Sequence, residues 1–423
     1  MNKKILVSAL LLTSSSVLAA PSYSTIGPNI GYGSNSNPGT VYSSLTNPAN
    51  NTINAADVDG SRYGLGLNLQ VQAELFGVEG SSDFLDNNIK TILDKSSYTI
   101  QDALNLQTNT NQFFTDYNGG NINVIAGVTA PILFKSDFIN GGISFDYTKQ
   151  VGTKVSFIKK ADLAITATSP TTFSTTTGAA AIGITVNQLD EFALSYGYDF
   201  GEFSTSDLRG KVAAGATIRL LSLTSNAQAI DFGQYINDNQ GNQSKDISDY
   251  VDDITSGSSS SSVALDLGAS WTADNYGLSV VAYNLNSPSF DIKRNAAAIA
   301  FGMDKTLTFD PQVRLGADLF SKNREWALSS SIDLMETKDL NGSDTKFWGI
   351  SGSYSTNSAW YIPDVRLGLK GNMVGTGLTY MNLGTTLGFL NVDLSTSSFS
   401  IIDNMDSQKD SGAAISVGVE FDF

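Results

Sequence analysis

The sequence predicts an all-β fold: a transmembrane antiparallel β-barrel of about 12–14 strands, with a small helical insertion. Three observations lead to this prediction. Apolar and polar residues alternate over runs of about ten residues, which is the length that crosses a bilayer at a tilt. Aromatic residues lie near the ends of these runs, as in the interfacial girdles of barrels. The polar positions hold Gly, Ser, Thr and isolated charges, which fit a crowded interior.

The composition argues against several classes of protein. Lys and Arg total 25 whereas Asp and Glu total 41, and the formal net charge of −16 argues against a nucleic-acid partner, which requires a basic face. There is no Cys and no His among the 423 residues. Thiol chemistry, histidine-based nucleophile systems, disulfides and the usual zinc sites are therefore excluded. We expect neither a metal site nor a cofactor.

Residues 1–19 predict a cleavable signal peptide. Lys3 and Lys4 precede an apolar run over 5–12 that is too short to span a bilayer, and small residues follow up to Ala19. Because Pro21 disfavours cleavage immediately before it, we expect the cut after Ala19 and export from the cytoplasm.

The mature chain divides into a hatch segment over 20–60 and a barrel over 61–423. The hatch segment is rich in Gly, Ser and Asn, and it contains the tripeptide Asn47-Pro48-Ala49.

The period-two alternation is clearest at the C-terminus. Apolar residues occupy every second position there: Ile415, Val417, Val419, Phe421 and Phe423. Similar runs occur at 143–147, 192–200, 212–220, 263–271, 313–319, 326–334 and 365–369, and short turns are expected at 272–277, 321–324 and 339–345. A soluble β-sandwich would bury such apolar faces against each other, whereas a transmembrane barrel turns them to lipid. Strand length favours the barrel, as do the aromatic residues near strand ends: Tyr198, Phe200, Trp271, Tyr276, Phe320, Trp326, Tyr354, Trp360, Tyr361, Phe421 and Phe423.

Two stretches interrupt the alternation. Residues 83–114 carry apolar residues at helical spacing and predict the helical insertion. Residues 229–262 are polar and acidic and end in a serine run, so they predict a long loop with a short helix over 247–254. A calcium site is an alternative role for the acidic residues of this loop, but their spacing does not match an EF-hand: Asp231, Asp238, Asp246, Asp249, Asp252 and Asp253.

Charged residues on the polar faces of the strands would converge inside a barrel. The candidate luminal residues are Asp146, Asp199, Lys211, Arg219, Asp266, Arg314, Asp318, Asp333, Asp364, Arg366 and Lys370. They could form a charged constriction on a solute path. The interpretation that we favour is a network of ion pairs filling a narrow interior, where pairing is stronger than in bulk water. A hydrolytic pair of carboxylates would need only two of them, but no pair stands out, and we expect no catalytic residues.

The C-terminal residues also predict the cellular location of the protein. A last strand that ends in Phe, with Val419, Phe421 and Phe423 at alternate positions, resembles the signal read by the outer-membrane barrel assembly machinery. Together with the export signal, this predicts a protein of the cell outer membrane. Its expected partners are outer-membrane lipid and the assembly machinery.

Further motifs resemble known families. The tripeptide Asn47-Pro48-Ala49 ahead of a barrel resembles the hatch of FadL-like outer-membrane transporters. Other motifs resemble the outer-membrane TraF-type family, which is named after conjugal transfer operons. These motifs are residues 263–269, Asn284, Leu285, Pro288, residues 310–317, Trp326, Asp333, Leu334 and residues 365–368. The likeness covers the chain from about Asn47 to Phe423.

The resemblance implies a FadL-like barrel with an N-terminal plug that lets small solutes, including hydrophobic ones, pass passively. An apolar pocket beside the plug would accompany that function. The alternative is a non-conducting structural or assembly component that binds partners of an envelope secretion or conjugal-transfer system. Only the family name links the chain to conjugation. The redox role of a thioredoxin-like protein sharing that name is excluded by the absence of Cys.

Overall fold

The computed structural model describes residues 39–53, 61–204, 209–239, 257–355, 363–397 and 410–423. Several predictions fall outside the described residues: the signal peptide 1–19, the hatch residues 20–38 and 54–60, the short helix 247–254, the acidic residues Asp246, Asp249, Asp252 and Asp253, and the aromatic residues Trp360 and Tyr361.

Fourteen antiparallel strands form a closed barrel, which confirms the predicted fold class. The barrel strands are β1 (Arg62–Phe76), β2 (Asn121–Ser136), β3 (Gly141–Lys159), β4 (Ala180–Ser204), β5 (Arg209–Asp231), β6 (Ser258–Thr272), β7 (Tyr276–Tyr283), β8 (Gln312–Phe320), β9 (Trp326–Asp333), β10 (Phe347–Tyr354), β11 (Asp364–Asn372), β12 (Thr379–Leu387), β13 (Leu390–Thr396) and β14 (Ser411–Asp422). Each strand pairs with the next in sequence, and β1 pairs with β14 to close the barrel. Closure leaves no unpaired sheet edge, which hydrocarbon would not tolerate.

The remaining elements lie before β1 or in the connections between strands. The helices and helical turns are Val41–Leu45, Pro48–Thr52, Ser81–Phe84, Leu85–Lys90, Thr91–Leu93, Ile100–Asp116, Asp137–Ile139, Phe232–Asp238 and Ala296–Phe301. The short strands are Ile165–Ser169 with Thr172–Thr175, Ser289–Asp291 with Thr306–Thr308, Thr337–Lys338 with Asp344–Thr345, and Lys293–Arg294 beside β5. Among the described residues, no helix combines the length and the hydropathy that crossing a membrane requires.

The two ends of the barrel differ in their connections. One end, the turn end, carries short connections such as 273–275 and 388–389. The opposite end, the loop end, carries the long connections 77–120, 160–179 and 284–311. The first residue of β1 and the last residue of β14 both lie at the turn end, opposite each other across the strand pair that closes the barrel.

The outward face of the barrel is apolar and uncovered. In β1, Leu65, Leu67 and Leu69 are 48–50% exposed, whereas the alternating Asn68 and Gln70 are buried on the inner side. The same arrangement recurs around the wall, so the apolar faces do not pack against a second sheet as they would in a β-sandwich. An apolar belt of this extent is stable when lipid surrounds it.

A charge placed in this belt should destabilise the protein strongly. Leu367 of β11 is 59% exposed on the outward face. We expect Leu367→Arg to lower the free energy of unfolding in lipid vesicles by about 2–4 kcal/mol, because the guanidinium must enter hydrocarbon. Urea unfolding followed by tryptophan fluorescence measures the change. The control is Lys322→Arg in the turn between β8 and β9, which places a guanidinium at an exposed residue and should be nearly neutral. Equal stability of the two variants would show that lipid does not cover Leu367.

Aromatic residues form a girdle at the turn end. Three ring pairs lie there: Trp271 with Tyr276 at 5.2 Å, Trp326 with Tyr354 at 4.6 Å, and Phe389 with Phe421 at 5.3 Å between centroids. Amphipathic rings at this level fit the boundary between hydrocarbon and water.

The helical insertion packs on the outside of the barrel. Its helices span 81–93 and 100–116, so the helical stretch begins two residues earlier and ends two later than the predicted 83–114. Their buried side chains contact Val155, Phe157 and Ile182, which point to the same side of the wall as the lipid-facing residues further along β3 and β4. The long β3 and β4 therefore extend beyond the apolar belt at the loop end, and the helices cover the extension.

The long polar loop predicted at 229–262 is shorter than expected. Residues 229–231 complete β5, a helix follows at Phe232–Asp238, and the serine run 258–262 belongs to β6. Ser258 and Ser260 pair with Ser225 and Leu223 of β5, so the neighbouring strand imposes an extended conformation that serine does not favour by itself. The alternation of apolar residues could not reveal this part of β6, because serine occupies both faces.

Two connections fold into the lumen from the loop end. Phe290, Leu307 and Phe309 from 284–311 and Leu340 from 334–346 pack against apolar residues of the inner wall: Ile125, Leu189, Leu221, Leu223 and Ala264. The predicted turn around Asn341-Gly342 is the tip of one of these connections. Asn123 of β2 donates a hydrogen bond to Asp339 at 2.9 Å and ties that tip to the wall.

Candidate functional site: the plugged lumen

The described part of the hatch segment, residues 39–53, lies inside the lumen and is here called the plug. It forms two short helical turns, Val41–Leu45 and Pro48–Thr52. Asn47 accepts a hydrogen bond from the amide of Ala49 at 3.0 Å through its side chain, and Pro48 supplies a φ angle suited to the first turn position. The predicted Asn47-Pro48-Ala49 motif thus starts the second turn, with all three residues buried.

A row of four glycines on the inner wall faces the second turn of the plug. Gly142, Gly197, Gly215 and Gly268 lie on the adjacent strands β3 to β6, and each is paired with the next in the strand register. No local motif marks this glycine row, because its members are far apart in the sequence. They become neighbours only when the strands are in register.

The glycine row lets the plug backbone lie against the wall. A Cβ atom on Gly215 would lie 2.6 Å from the carbonyl carbon of Pro48 and 2.8 Å from the amide nitrogen of Ala49, and one on Gly197 would lie 2.6 Å from the Pro48 oxygen. At Gly142 a Cβ atom would collide with the carbonyl oxygen of Asn51. Any larger residue in this row therefore requires the plug to move.

The first turn of the plug lies on the strand pair that closes the barrel. Val41 donates its amide to Glu420 at 2.6 Å, and the Tyr42 hydroxyl donates to the carbonyl of Val419 at 2.9 Å. Burial, and then the nearby Glu420, raise the pKa of the Tyr42 phenol, so the hydroxyl keeps the proton that it donates. Gly66 of β1 leaves room for the Tyr42 ring.

Arg219 is the centre of one buried luminal network. Its guanidinium contacts both oxygens of Asp266 at 2.8 and 2.9 Å, Glu191 at 3.4 Å and the side-chain oxygen of Asn284 at 2.5 Å. Arg219 and the two carboxylate side chains are only 4–6% exposed. The network joins β4, β5, β6 and the connection after β7.

Two further arginine–aspartate pairs lie on other strands of the inner wall. Arg314 contacts Asp333 at 2.6 and 3.1 Å, and the two residues are directly opposite each other in β8 and β9. Arg366 contacts Asp393 at 3.1 Å through two nitrogen–oxygen pairs. Forked pairs of this kind are geometrically specific and resist water when buried.

The other predicted luminal residues fall into two groups. Asp146 and Lys370 are buried: Asp146 accepts a hydrogen bond from Ser144 at 3.0 Å, and the Lys370 ammonium lies 4.2 Å from the centre of the Phe347 ring. The rest lie on the inward side but nearer the turn end and are less buried: Asp199, Lys211, Asp318 and Asp364. The predicted charges therefore do not all meet in one cluster.

Several luminal residues were missed by the sequence prediction. Asp393 lies between the outward residues Val392 and Leu394, and Glu191 precedes the run at 192–200, so the same alternation that predicted the other charges could have found both. Of the residues predicted to form the assembly signal, Val419 and Phe421 point outward from β14 and Phe423 follows the strand with an exposed side chain, whereas Glu420 points inward to the plug.

A cavity of about 60 Å³ lies between the plug and strands β6 to β9. Its wall mixes polar side chains, such as Ser270, Arg314 and Asp318, with apolar ones, such as Leu278, Val281 and Phe320, and it reaches Arg324 at the turn end. Polar and apolar side chains thus both line this side of the lumen, and the apolar pocket expected beside the plug stays a prediction. A larger cavity of about 360 Å³ lies at the loop end, where Lys154, Asn187, Ile292, Met303 and Leu307 contribute to its lining.

Two of the luminal carboxylates, those of Glu191 and Asp266, are poorly placed for hydrolysis. Glu191 and Asp266 both contact the Arg219 guanidinium and are buried, so neither can activate a water molecule in an open cleft. In the part of the chain that the structure describes, no group of three or more acidic residues could hold a metal ion.

The fold and the site define a transmembrane β-barrel whose lumen holds an N-terminal plug. Residues 44–333 match the family described as "F plasmid transfer operon, TraF, protein", and the chain belongs to that family. No curated protein matches the chain.

The chain is also similar to solved outer-membrane channels. A "TodX monoaromatic hydrocarbon channel deltaS2 mutant" has 12% identity and a TM-score of 0.42, with 96% of each chain covered. The "TodX deltaS2S3 mutant monoaromatic hydrocarbon channel" has 11% identity and a TM-score of 0.41, with 89% of this chain and 93% of that one covered. A Pseudomonas aeruginosa FadL homologue has 9% identity and a TM-score of 0.27, with 96% and 99% covered.

Proposed function

We propose that this protein is an outer-membrane channel for small solutes, and that the plug closes its lumen at the turn end. In outer-membrane barrels the short turns face the periplasm and the long loops face outward, so the plug would stand at the periplasmic exit. The apolar belt on the outside of the closed barrel supports this location.

The observation that carries the proposal is the way in which the plug is held. It contacts the inner wall through hydrogen bonds and close backbone packing on glycines, and a cavity lies between it and parts of strands β6 to β9. A segment held by non-covalent contacts, with space on one side, can move and open a path. Apolar residues fill the loop end of the lumen, and polar and apolar side chains together line the exit, so the path suits small amphipathic solutes.

Permeability of reconstituted liposomes tests the proposal. We expect the full chain to admit small neutral and amphipathic solutes, such as glycine and phenylalanine, slowly, and a variant lacking residues 39–53 to admit them much faster. Liposome swelling measures both rates, and liposomes without protein give the background. If the variant inserts as a folded barrel and swelling stays at background, the channel function is wrong.

The second candidate is a non-conducting component of an envelope assembly. The filled lumen favours it: ion pairs around Arg219, Arg314 and Arg366 and the inward connections occupy the interior together with the plug. This function predicts liposomes that stay impermeable even without the plug, and an envelope protein that copurifies with the full chain. Permeable liposomes would contradict it.

A further inference from the structure

A single guanidinium contacts both ends of the plug. Arg62, the first residue of β1, is fully buried. It donates one hydrogen bond to the carbonyl of Gly39 at 2.8 Å and another to the carbonyl of Ile53 at 3.1 Å. The same group contacts Asp422 of β14 at 2.5 and 2.9 Å. Arg62 therefore joins the start of the plug, the end of the plug and the last strand.

The next residue pairs between β1 and β14 also contribute to the binding of the plug. Gly64 is opposite Asp422 and Gly66 is opposite Glu420 in the register. At each rung β1 leaves the space that the plug occupies, and β14 provides a carboxylate: Glu420 accepts the Val41 amide, and Asp422 holds Arg62. The first turn of the plug thus lies on a surface that exists only when β1 and β14 are paired.

We propose that Arg62 is a latch that holds the plug on the closed β1–β14 pair, so that the plug docks only after the last strand has been inserted. At the end of β14 the side chains of Val419, Phe421 and Phe423 face lipid. The alternating Glu420 and Asp422 face the lumen, where Glu420 binds the plug and Asp422 binds Arg62. A guanidinium suits this role because its fork of donors reaches a carboxylate and two carbonyls at once, which an ammonium cannot do with the same geometry. The proposal rests on the proposed function only in treating the plug as the gate.

Labelling of a single thiol tests the latch. The chain has no Cys, so Ser43→Cys places the only thiol in the plug, at a residue that is 1% exposed. In this background we expect Arg62→Gln to raise the labelling rate by a water-soluble thiol reagent at least about tenfold, because the plug loses two hydrogen bonds from a charged donor. We expect the labelling rate of Arg62→Lys to be closer to that of Arg62→Gln than to that of the protein with Arg62. If Arg62→Lys keeps the slow rate, the ion pair suffices and the forked latch is wrong.

Two further variants separate the latch from general loosening. Arg219→Gln removes a buried guanidinium that contacts Asp266, Glu191 and Asn284, and it should leave Ser43→Cys labelling slow. Equal acceleration in this control would overturn the latch. Val41→Pro removes the amide that donates to Glu420 but changes neither barrel strand, and proline is compatible with the first position of a helical turn after the extended Thr40.

Folded barrels are identified by the gel mobility of unheated samples. We expect Val41→Pro to accelerate labelling too, and this variant decides the matter if Arg62→Gln does not fold. If Arg62→Gln folds and its labelling rate is unchanged, the proposal is wrong. If Arg62→Gln does not fold, an unchanged labelling rate in folded Val41→Pro overturns the proposal instead. If labelling accelerates but liposome swelling does not, the latch is supported and the channel function fails, so the two failures are distinguishable.

Discussion

Gly215→Leu is expected to displace the plug and raise the permeability of liposomes that contain the protein. Even a Cβ atom at this position would lie 2.6–2.8 Å from backbone atoms of Pro48 and Ala49, and these atoms cannot rotate away as a side chain could. Overpacking of this kind costs about 1–3 kcal/mol, which corresponds to a shift of about 5- to 150-fold in the docking equilibrium of the plug. The swelling rate with a small neutral solute measures the result.

The matched control is Gly352→Leu in β10. A Cβ atom at Gly352 meets no atom closer than 3.8 Å, and the residue lies on the lipid side of the wall, as Ile350 does. This variant carries the same substitution without a contact to the plug, and we expect unchanged permeability. If both variants swell alike, or if Gly215→Leu stays as slow as the unmodified chain while folded, the glycine row does not hold the plug.

Arg219→Ala should cause the largest loss of stability among the luminal substitutions. The change leaves Glu191 and Asp266 buried without their common cation, and removing one partner of a buried pair costs about 3–5 kcal/mol. Urea unfolding in lipid vesicles, followed by tryptophan fluorescence, gives the difference in free energy.

An exposed pair gives the comparison for this prediction. Arg209 contacts Glu202 at 3.4 Å, with side chains that are 70% and 54% exposed. Pairs of this kind contribute about 0–1 kcal/mol, so Arg209→Ala should change stability little. If the two variants lose similar amounts, the Arg219 network is hydrated and does not stabilise the interior of the barrel.

The sequence predicted the fold because period-two alternation reports directly on the two faces of a strand. Leu265 and Leu267 point outward and Asp266 points inward for that reason alone. Alternation does not report which charges meet. Arg314 and Asp333 lie on neighbouring strands with a short turn between them. A strand register inferred from that turn would have placed the two residues opposite each other or one residue pair apart. Arg219 instead contacts Asp266 diagonally, since Ala264 is its partner in the register, and that depends on strand stagger.

The plug site was predictable only in part. The motif at Asn47 marked the segment, but its receptor consists of glycines on four strands and a strand pair that joins the two ends of the chain. The contact of Arg62 with Asp422 joins residues that are 360 positions apart, so no local sequence pattern contains both of them. The inward folding of 284–311 is likewise invisible in the sequence, because apolar residues such as Phe290 and Phe309 fit any buried site.

An engineered disulfide between the plug and the wall tests the account most directly. The side chains of Asn51 in the plug and Ser144 in β3 are 3.4 Å apart at their nearest polar atoms, and the chain contains no other thiol. We expect Asn51→Cys with Ser144→Cys to cross-link readily under mild oxidation, visible as a shift in gel mobility that a reductant reverses. Asn51→Cys with Phe145→Cys should not cross-link, because Phe145 faces lipid. Efficient cross-linking to position 145, or none to position 144 in a folded barrel, would contradict a plug seated inside the lumen.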